Sequence, residues 1–303
     1  MKRMDSVKLK IWFLETRPQF LLLSVVLAFL GTSIAWYDGA FHPGYALLAL
    51  VGLLLCHISV NVLNDYFDYR SGLDLETKRT PFSGGSGILP SALLKPTKVL
   101  WFGLISFLLA ALIGIYFVMA RGWLLLPLLL IGAVCILLYT PLLTKLGWAE
   151  WAAGLGLGAL PILGFYFVQT TYYTFPVVIA SIPSGILVHN LLLLNELPDV
   201  EADKNAGRKT LPIVMGKAKA SVLYSILTMI VYLWIVGAVT TGLMPIFSLI
   251  ALLTLPFALK AIQGALRHRD EASELVSAMS NNVLVILLTQ LLLGIGFILA
   301  GVF

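Results

Sequence analysis

Long apolar stretches recur along this 303-residue chain and constrain its fold more than any other feature. Apolar residues make up 59% of the chain, charged residues make up 12%, and the mean hydropathy is +0.96, values typical of membrane proteins. A helix needs about 20 mainly apolar residues to cross a bilayer. The sequence therefore predicts an all-α, polytopic membrane bundle, a single domain over residues 1–303, with about nine transmembrane helices at roughly 20–37, 44–64, 99–119, 122–142, 150–169, 174–195, 220–240, 244–262 and 281–301.

The basic residues are distributed unevenly between the two predicted faces of this bundle. Lysine and arginine favour the cytoplasmic side of a membrane. With nine spans, 19 of the 20 basic residues fall on one face, and Arg121 alone falls on the other. This pattern predicts a cell-membrane protein with a cytoplasmic N-terminus and an active site that faces the cytoplasm. The net charge of +5 is then explained by contact with anionic lipid, and nucleic acid is not an expected partner.

Two polar segments interrupt the apolar pattern, each where a predicted span leads into a basic loop. Residues four apart lie on one helix face, so that Asn64 is grouped with Asp68, and Asn195 with Asp199. Carboxylates at the edge of a membrane are costly and usually functional. The repeated spacing predicts one site built from two halves, which contain Asn61, Asn64, Asp65, Asp68 and Asp74 in the first and Asn195, Asp199 and Asp203 in the second.

The side-chain chemistry of these segments indicates a metal ion. Several carboxylates in one partly dehydrated site repel one another unless a cation lies between them. Oxygen ligands without His or Cys suit Mg²⁺, which keeps several waters and binds substrate phosphates. We therefore expect Mg²⁺ as the cofactor and a diphosphate clamped between the two halves, with the metal held by Asp65, Asp68, Asp74, Asp199 and Asp203.

Basic residues follow both acidic segments. Lys78 and Arg79 come after the first, and Arg208 and Lys209 come after the second, where they are candidates to neutralise phosphate charge. Each of them is equally interpreted as an ordinary basic residue of the inner face. The loop 83–87, with the sequence Ser-Gly-Gly-Ser-Gly, is either a flexible connection or a source of backbone N–H groups for an anion.

These segments together resemble the UbiA superfamily of intramembrane prenyltransferases over nearly the whole chain. The entry residues Trp12 and 15–18 (Glu-Thr-Arg-Pro) are similar to the start of the family's first helix. The first acidic segment resembles its Asn-Asp-x-x-Asp signature, and residues 199–211 resemble its second signature. The stretch 139–150 is similar to a further family segment on the same face.

The resemblance implies transfer of a polyprenyl group from an isoprenyl diphosphate to an aromatic acceptor, with the lipid bilayer as surroundings. The implied catalytic residues are Asp68, Asp74, Asp199 and Asp203, with Tyr139 and Lys145 as helpers. Tyr139 is alternatively an interfacial aromatic residue. The implied substrate-binding residues are Asn61, Asn64, Lys78, Arg79, Asn195, Arg208, Lys209 and Arg17. Arg17 either contacts a carboxylate of the acceptor or anchors the first helix.

The spacing from Asp68 to Asp74 resembles the menaquinone branch of the family, whose acceptor is 1,4-dihydroxy-2-naphthoate. Two features depart from that branch: Glu196 stands where a second Asn is frequent, and the loop 83–87 is not universal. Formation of geranylgeranylglyceryl-phosphate products, or transfer to another UbiA-type acceptor, therefore stays an alternative. A secondary transporter is the alternative from a different class, because intramembrane carboxylates also mark ion pathways.

Overall fold

The computed structural model describes residues 2–77 and 79–303, and every regular element in these ranges is helical. Lys78, a candidate phosphate-binding residue, lies outside the described residues. The helices before the middle of the chain are α1 (Lys2–Glu15), α2 (Pro18–Tyr37), α3 (Pro43–Ser71), α4 (Leu73–Glu76), α5 (Pro96–Arg121), α6 (Leu126–Leu137), α7 (Thr144–Leu146) and α8 (Ala149–Gly154). The later helices are α9 (Leu160–Thr170), α10 (Phe175–Glu196), α11 (Val200–Asn205), α12 (Leu211–Met215), α13 (Lys217–Thr240), α14 (Leu255–Arg267) and α15 (Ala272–Val302).

Eight helices among the described residues are long and apolar enough to cross a membrane. Two of them are composite, because a π-helical segment (Leu155–Ala159) joins α8 to α9 and a 3₁₀ segment (Ile246–Thr254) precedes α14. A ninth span is formed if the bent pair Trp123–Leu137 and Tyr139–Leu146 counts as one. The predicted all-α bundle with about nine spans is therefore confirmed.

The fourth predicted span is not the straight helix that its hydropathy predicts. Its two parts meet at an angle of 67°, and the second begins with a π-helical segment, Tyr139–Leu143. Pro141 lies in this segment and has no N–H to donate, and its ring clashes with the carbonyl four residues earlier, at Leu137. The proline explains why α6 ends at Leu137.

Proline and glycine also set the helix ends that matter for the site. Proline occupies the first turn of α2, α3 and α5, where its missing N–H removes no hydrogen bond. Gly72 ends α3 in the left-handed conformation with φ of 84°, which glycine adopts without the steric cost of a Cβ atom. The chain then reverses into the short helix α4, which carries Asp74.

A shared apolar core holds the spans together. Buried side chains from α2, α10, α13 and α15 form its largest cluster, with Leu30, Val231 and Leu293 fully buried. Outside this cluster, α3 packs along α5, and α10 packs against both α8 and α13. The helices α3 and α10 end on the same side of the bundle, which we call the motif end because both acidic segments lie there.

Candidate active site

Arg208 lies between the two acidic segments and connects them. Its guanidinium donates to Asp203 Oδ1 at 3.0 Å and also pairs with Asp68 Oδ1. Both carboxylates are buried, at 6% and 2% exposure for Asp68 and Asp203. The predicted meeting of the two halves therefore takes place, and a cation with 15% of its side chain exposed occupies the position where their charges face each other.

Asp74 reaches the same group because the chain reverses at Gly72. Its carboxylate lines the central cavity together with Asp68, and its Oδ2 atom is buried without a hydrogen-bond partner among the described residues. Burial, together with the nearby charges of Asp68 and Asp65, raises the pKa of Asp74 to about 8. An unpartnered buried carboxylate of this kind is suited to bind a cation.

Asp65 lies behind this group rather than in it. Its Oδ2 atom accepts a hydrogen bond from the Ser86 backbone N–H at 2.8 Å, and its Oδ1 atom is 3.8 Å from Arg17 Nη1. Asp65 is not among the residues that line the cavity. The structure therefore places this predicted metal ligand next to a loop and an arginine. The other four predicted ligands line the cavity instead: Asp68, Asp74, Asp199 and Asp203.

The loop 83–87 is held over the first acidic segment by specific contacts. Ser86 Oγ donates to Glu15 Oε2 at 3.0 Å, and Arg79 donates to the carbonyl oxygens of Gly85 and Ser86. A Cβ atom at Gly85 would lie 2.8 Å from Asp74 Oδ2, so the backbone approaches the carboxylate closely. Arg79, an exposed residue, thus holds the loop and does not line the central cavity.

The second acidic segment begins where α10 ends. Pro198 follows the helix end at Glu196, and Asp199 precedes α11, which carries Asp203 one turn later. Burial, and then the neighbouring Asp203, raise the pKa of Asp199 to about 7. Burial raises the pKa of Asp203 to about 6, against the opposing effect of Arg208. Both carboxylates line the cavity with Asn195.

The polar residues of α3 connect the site to its neighbours. Asn61 Nδ2 donates to the Thr16 carbonyl at 3.0 Å, and Asn64 Nδ2 donates to Thr140 Oγ1 at 3.0 Å. Both asparagines line the cavity, as does Tyr139 beside Thr140. The bend in the fourth span therefore brings Tyr139 to the motif end, where the sequence predicts it.

Arg17 also lines the cavity, from the junction between α1 and α2. Its backbone is left-handed, with φ of 53°, a conformation that few non-glycine residues adopt. The guanidinium lies 4.8 Å from the centre of the Phe20 ring, and its Nε atom is buried without a partner among the described residues. Because Arg17 lines the cavity, its guanidinium can donate to an anionic group there.

Two predicted basic residues do not reach the site. Lys145 and Lys209 are exposed and are not among the residues that line the cavity. Lys209 contributes its backbone, since its N–H donates to the Thr144 carbonyl at 2.8 Å. This bond ties the segment after the second acidic motif to the inner part of the bent span.

The cavity continues from the carboxylates into the apolar part of the bundle. Its volume is about 1130 Å³, and apolar side chains from α2, α3, α5, α6 and α9 make up most of its lining. On α3 the lining runs from Asp68 to Ala49, about 28 Å at the rise of an α-helix. Ile115 on α5 and Leu130 on α6 line the cavity and are more than half exposed, which indicates that the cavity opens sideways between α5 and α6.

The described residues contain no group of three or more His, Cys, Asp or Glu side chains placed to hold a metal ion. Arg208 accounts for part of this result, because it occupies the space between Asp68 and Asp203. The donor set still fits Mg²⁺, since it consists of carboxylate oxygens and includes the unpartnered Oδ2 of Asp74.

The sequence profile described as "UbiA prenyltransferase family" matches residues 23–284. The chain belongs to this family. Among its relatives is "1,4-dihydroxy-2-naphthoate octaprenyltransferase" of Bacillus subtilis (strain 168), which is 31% identical over 279 residues, or 91% of this chain and 88% of the relative. The protein of the same name in Escherichia coli (strain K12) is 26% identical over 303 residues, with 95% of each chain covered.

Solved structures show the same UbiA fold. One is described as "Structural and mechanistic insights into the biosynthesis of Digeranylgeranylglyceryl phosphate synthase in membranes"; it has a TM-score of 0.67 at 19% identity and covers 96% of this chain and 99% of that one. Another is "Structure of a UbiA homolog from Archaeoglobus fulgidus bound to DMAPP and Mg2+", with a TM-score of 0.60, 15% identity and coverage of 91% and 98%. Family membership makes this multi-span membrane protein a transferase.

Three buried glutamates of this UbiA-family site have positions that sequence reasoning did not assign. Glu15 and Glu150 are fully buried, and Glu196 is 7% exposed. Glu15 accepts from the Ser86 hydroxyl, and Glu150 Oε1 accepts from the Leu211 N–H, so each orients a loop at the motif end. A signal was present for Glu150, which is the only acidic residue in its predicted span 150–169.

Proposed function

We propose that this protein transfers a polyprenyl group from an isoprenyl diphosphate to 1,4-dihydroxy-2-naphthoate, in menaquinone biosynthesis. The names of the relatives that match nearly the whole chain support this acceptor. The observation that carries the proposal is the cavity, which is charged at one end and apolar along the rest of its length. This shape and polarity match a donor with a diphosphate head and a polyprenyl tail.

The carboxylates at the motif end are assigned to Mg²⁺. Asp68, Asp74, Asp199 and Asp203 all line the cavity and are the residues that would hold the metal. Bound Mg²⁺ neutralises the diphosphate and stabilises the charge that develops on it as it leaves. A divalent cation is supported by the UbiA homologue bound to DMAPP and Mg²⁺. Asp65 is assigned a different role, in holding Ser86 and Arg17 near the site.

The polar residues around the carboxylates are assigned to the substrates. Arg208 lies where a diphosphate would contact both halves, and its guanidinium can donate two parallel hydrogen bonds to phosphate oxygens. Arg17 can donate to the carboxylate of the acceptor, because its side chain lines the cavity. The remaining polar residues of the cavity are assigned to orient the reacting groups: Asn61, Asn64, Asn195 and Tyr139.

The reaction breaks the C–O bond between the prenyl group and diphosphate and forms a C–C bond to the aromatic ring. The acceptor's carboxyl group leaves as CO₂ and returns its electron pair to the ring, so the product is a prenylated naphthoquinol. The apolar lining keeps water away from the allylic cation that forms between these events. The long cavity also fixes the direction from which the tail approaches the acceptor, which favours one reacting geometry.

The distribution of basic residues supports a location in the cell membrane with the motif end towards the cytoplasm. The carboxylate-containing acceptor would then arrive from the cytoplasm. The prenyl donor would arrive through the bilayer, and the sideways opening between α5 and α6 is a route for its tail. The two substrates thus reach one site from two phases.

The test is product formation by the purified protein in detergent with Mg²⁺, geranylgeranyl diphosphate and 1,4-dihydroxy-2-naphthoate, read by mass spectrometry. We expect the prenylated, decarboxylated naphthoquinol and release of diphosphate, both abolished by a chelator. Product with another acceptor from a panel, including geranylgeranylglyceryl phosphate, would overturn the proposed acceptor and keep the chemistry. Absence of diphosphate release with every acceptor would overturn the proposed reaction.

A further inference from the structure

A hydrogen-bonded histidine and serine lie at the apolar part of the cavity, beyond the residues assigned so far. His57 on α3 is 3% exposed, and its Nδ1 atom lies 2.9 Å from Ser24 Oγ on α2. Ser24 is fully buried. A buried polar pair is costly in an apolar setting unless its hydrogen bonds are made, so its position requires an explanation.

His57 belongs to the same helix face as the polar residues of the first acidic segment. His57, Asn61, Asn64 and Asp68 follow one another at helical spacing, and all four line the cavity. His57 lies about 16 Å along the helix axis from Asp68, at 1.5 Å per residue. It is thus the last strongly polar group along α3 before the lining of that helix becomes apolar.

The partner of His57 fixes which nitrogen carries the proton. If the Ser24 hydroxyl donates to Nδ1, both groups are satisfied and the imidazole proton is on Nε2. If Nδ1 carried the proton, the Ser24 hydroxyl would be left as a buried donor without an acceptor among the described residues, which costs free energy. The first arrangement is therefore favoured, and Nε2 is a donor.

The free nitrogen of His57 is open to the cavity. His57 Nε2 has no hydrogen-bond partner among the described residues. It is also not fully buried, so part of its surface is accessible to a ligand. The other intramembrane histidine differs, since His189 Nε2 is sealed and its ring packs edge-on against Trp151, outside the cavity. His57 is thus an N–H donor with no assigned acceptor, aimed into a substrate cavity.

The surroundings of this donor fit an oxygen-bearing aromatic ring better than a hydrocarbon tail. Arg17, just before α2, and Phe20 and Leu23 of α2 line the same cavity as His57, and Ser24 of that helix contacts the imidazole. The lining thus combines a cation, the aromatic ring beside it and the imidazole N–H. A prenyl tail has no atom that accepts a hydrogen bond, whereas a hydroxylated aromatic acid offers ring oxygens and a carboxylate.

We infer that His57 binds a ring oxygen of the aromatic acceptor through Nε2–H, and that Ser24 orients the imidazole for this contact. The inference rests on the proposed function, because it names the contact that recognises the hydroxyl of the acceptor. His57 would touch the substrate, whereas Ser24 acts through His57 and is a positioning residue. Acceptors without a ring hydroxyl in reach of His57 would lose this hydrogen bond.

The test measures binding of two probes to the detergent-purified protein in the absence of a prenyl donor: 1-hydroxy-2-naphthoate and 2-naphthoate. The wild-type protein should bind the hydroxylated probe about 3- to 10-fold more tightly, the range that one hydrogen bond supplies. His57→Leu should abolish this preference, and His57→Gln, which keeps an N–H donor, should retain part of it. Ser24→Ala should reduce the preference while leaving 2-naphthoate binding unchanged.

Matched controls separate recognition from damage to the fold. Ser106 is a buried serine whose hydroxyl donates to the Phe102 carbonyl within α5, so Ser106→Ala removes a hydroxyl outside the cavity. It should leave the preference for the hydroxylated probe intact. If His57→Leu lowers the melting temperature strongly, Ser24→Ala and His57→Gln still decide the matter.

In prenyl transfer, His57→Leu should raise the acceptor KM by about 3- to 10-fold and leave the donor KM within about twofold. The inference is overturned if both naphthoate probes weaken equally, if the preference survives in His57→Leu, or if the donor KM changes instead. Failure of the proposed function is a separate result: the wild-type protein would then form no prenylated naphthoquinol, whatever the variants do.

Discussion

Removing the positive charge of Arg208 should strongly destabilise the metal-free protein. In Arg208→Gln, the carboxylates of Asp68 and Asp203 stay buried and lose their shared partner. Breaking a buried ion pair from one side costs about 3–5 kcal/mol, mostly because an uncompensated charge is left behind. At about 2 °C per kcal/mol for a larger domain, the melting temperature should fall by about 6–10 °C.

Mg²⁺ should restore part of this loss in Arg208→Gln, because the freed carboxylates can bind the ion. A ligand that binds only the folded state at 100 times its dissociation constant stabilises by about 2.7 kcal/mol. The assay is thermal unfolding in detergent, with a chelator and then with Mg²⁺. Arg269→Gln is the matched control, since Arg269 forms an exposed pair with Asp270 at 3.6 Å, and exposed pairs contribute about 0–1 kcal/mol. Equal melting temperatures for the two variants in chelator would refute the bridging role of Arg208.

Three further predictions concern the carboxylates and the loop over them. Asp199→Asn should keep its melting temperature and lower kcat by at least about 10²-fold, since it weakens charge stabilisation of the leaving group; full activity would contradict the two-half site. The pKa values of Asp203 (about 6), Asp199 (about 7) and Asp74 (about 8) are raised, so Mg²⁺ must displace protons when it binds. The dissociation constant of Mg²⁺ should therefore fall about tenfold per pH unit for each proton displaced as the pH rises from 6 to 8. Calorimetry at several pH values checks this, and a pH-independent dissociation constant would refute it. Gly85→Ala should lower activity at least about tenfold, because the new Cβ atom would lie 2.8 Å from Asp74 Oδ2. Gly39→Ala is the control: Gly39 has a φ of 84° and open space around it, so this variant adds only backbone strain and should keep its activity.

The spans and the meeting of the two acidic segments were predictable because both depend on local sequence. Hydropathy locates apolar helices, and the repeated spacing from Asn64 to Asp68 and from Asn195 to Asp199 places polar groups on one helix face. Hydropathy does not register how a proline acts inside a span. The hydropathy pattern therefore did not predict the bend before Pro141, although the proline is present in the sequence of that span.

The partners inside the site were not predictable from spacing. Arg208 contacts Asp68 only because the loop after α11 folds over the end of α3, 140 residues away in sequence. Lys209, its neighbour with the same charge, is exposed, and nothing in the local sequence separates the two. Asp65 likewise shares its motif with Asp68, but it accepts a hydrogen bond from the loop at Ser86 and does not line the cavity. Such assignments depend on tertiary packing.

His57 illustrates a different limit. An isolated histidine in an apolar span has no motif around it, and its partner Ser24 lies on another helix. His189 precedes the second acidic segment in sequence, yet it does not line the cavity and its Nε2 atom is buried. The two histidines differ in whether their helix face lines the cavity, which depends on tertiary packing.

The sideways opening between α5 and α6 changes what holds a polyprenyl tail in place. A tail that passes from the bilayer into this cavity exchanges one hydrocarbon environment for another, so the hydrophobic effect contributes little to its binding. Affinity for the donor must then come almost entirely from the diphosphate, and lengthening the tail should hardly alter it. In such a protein, selection among donors of different length depends on which tails the cavity excludes.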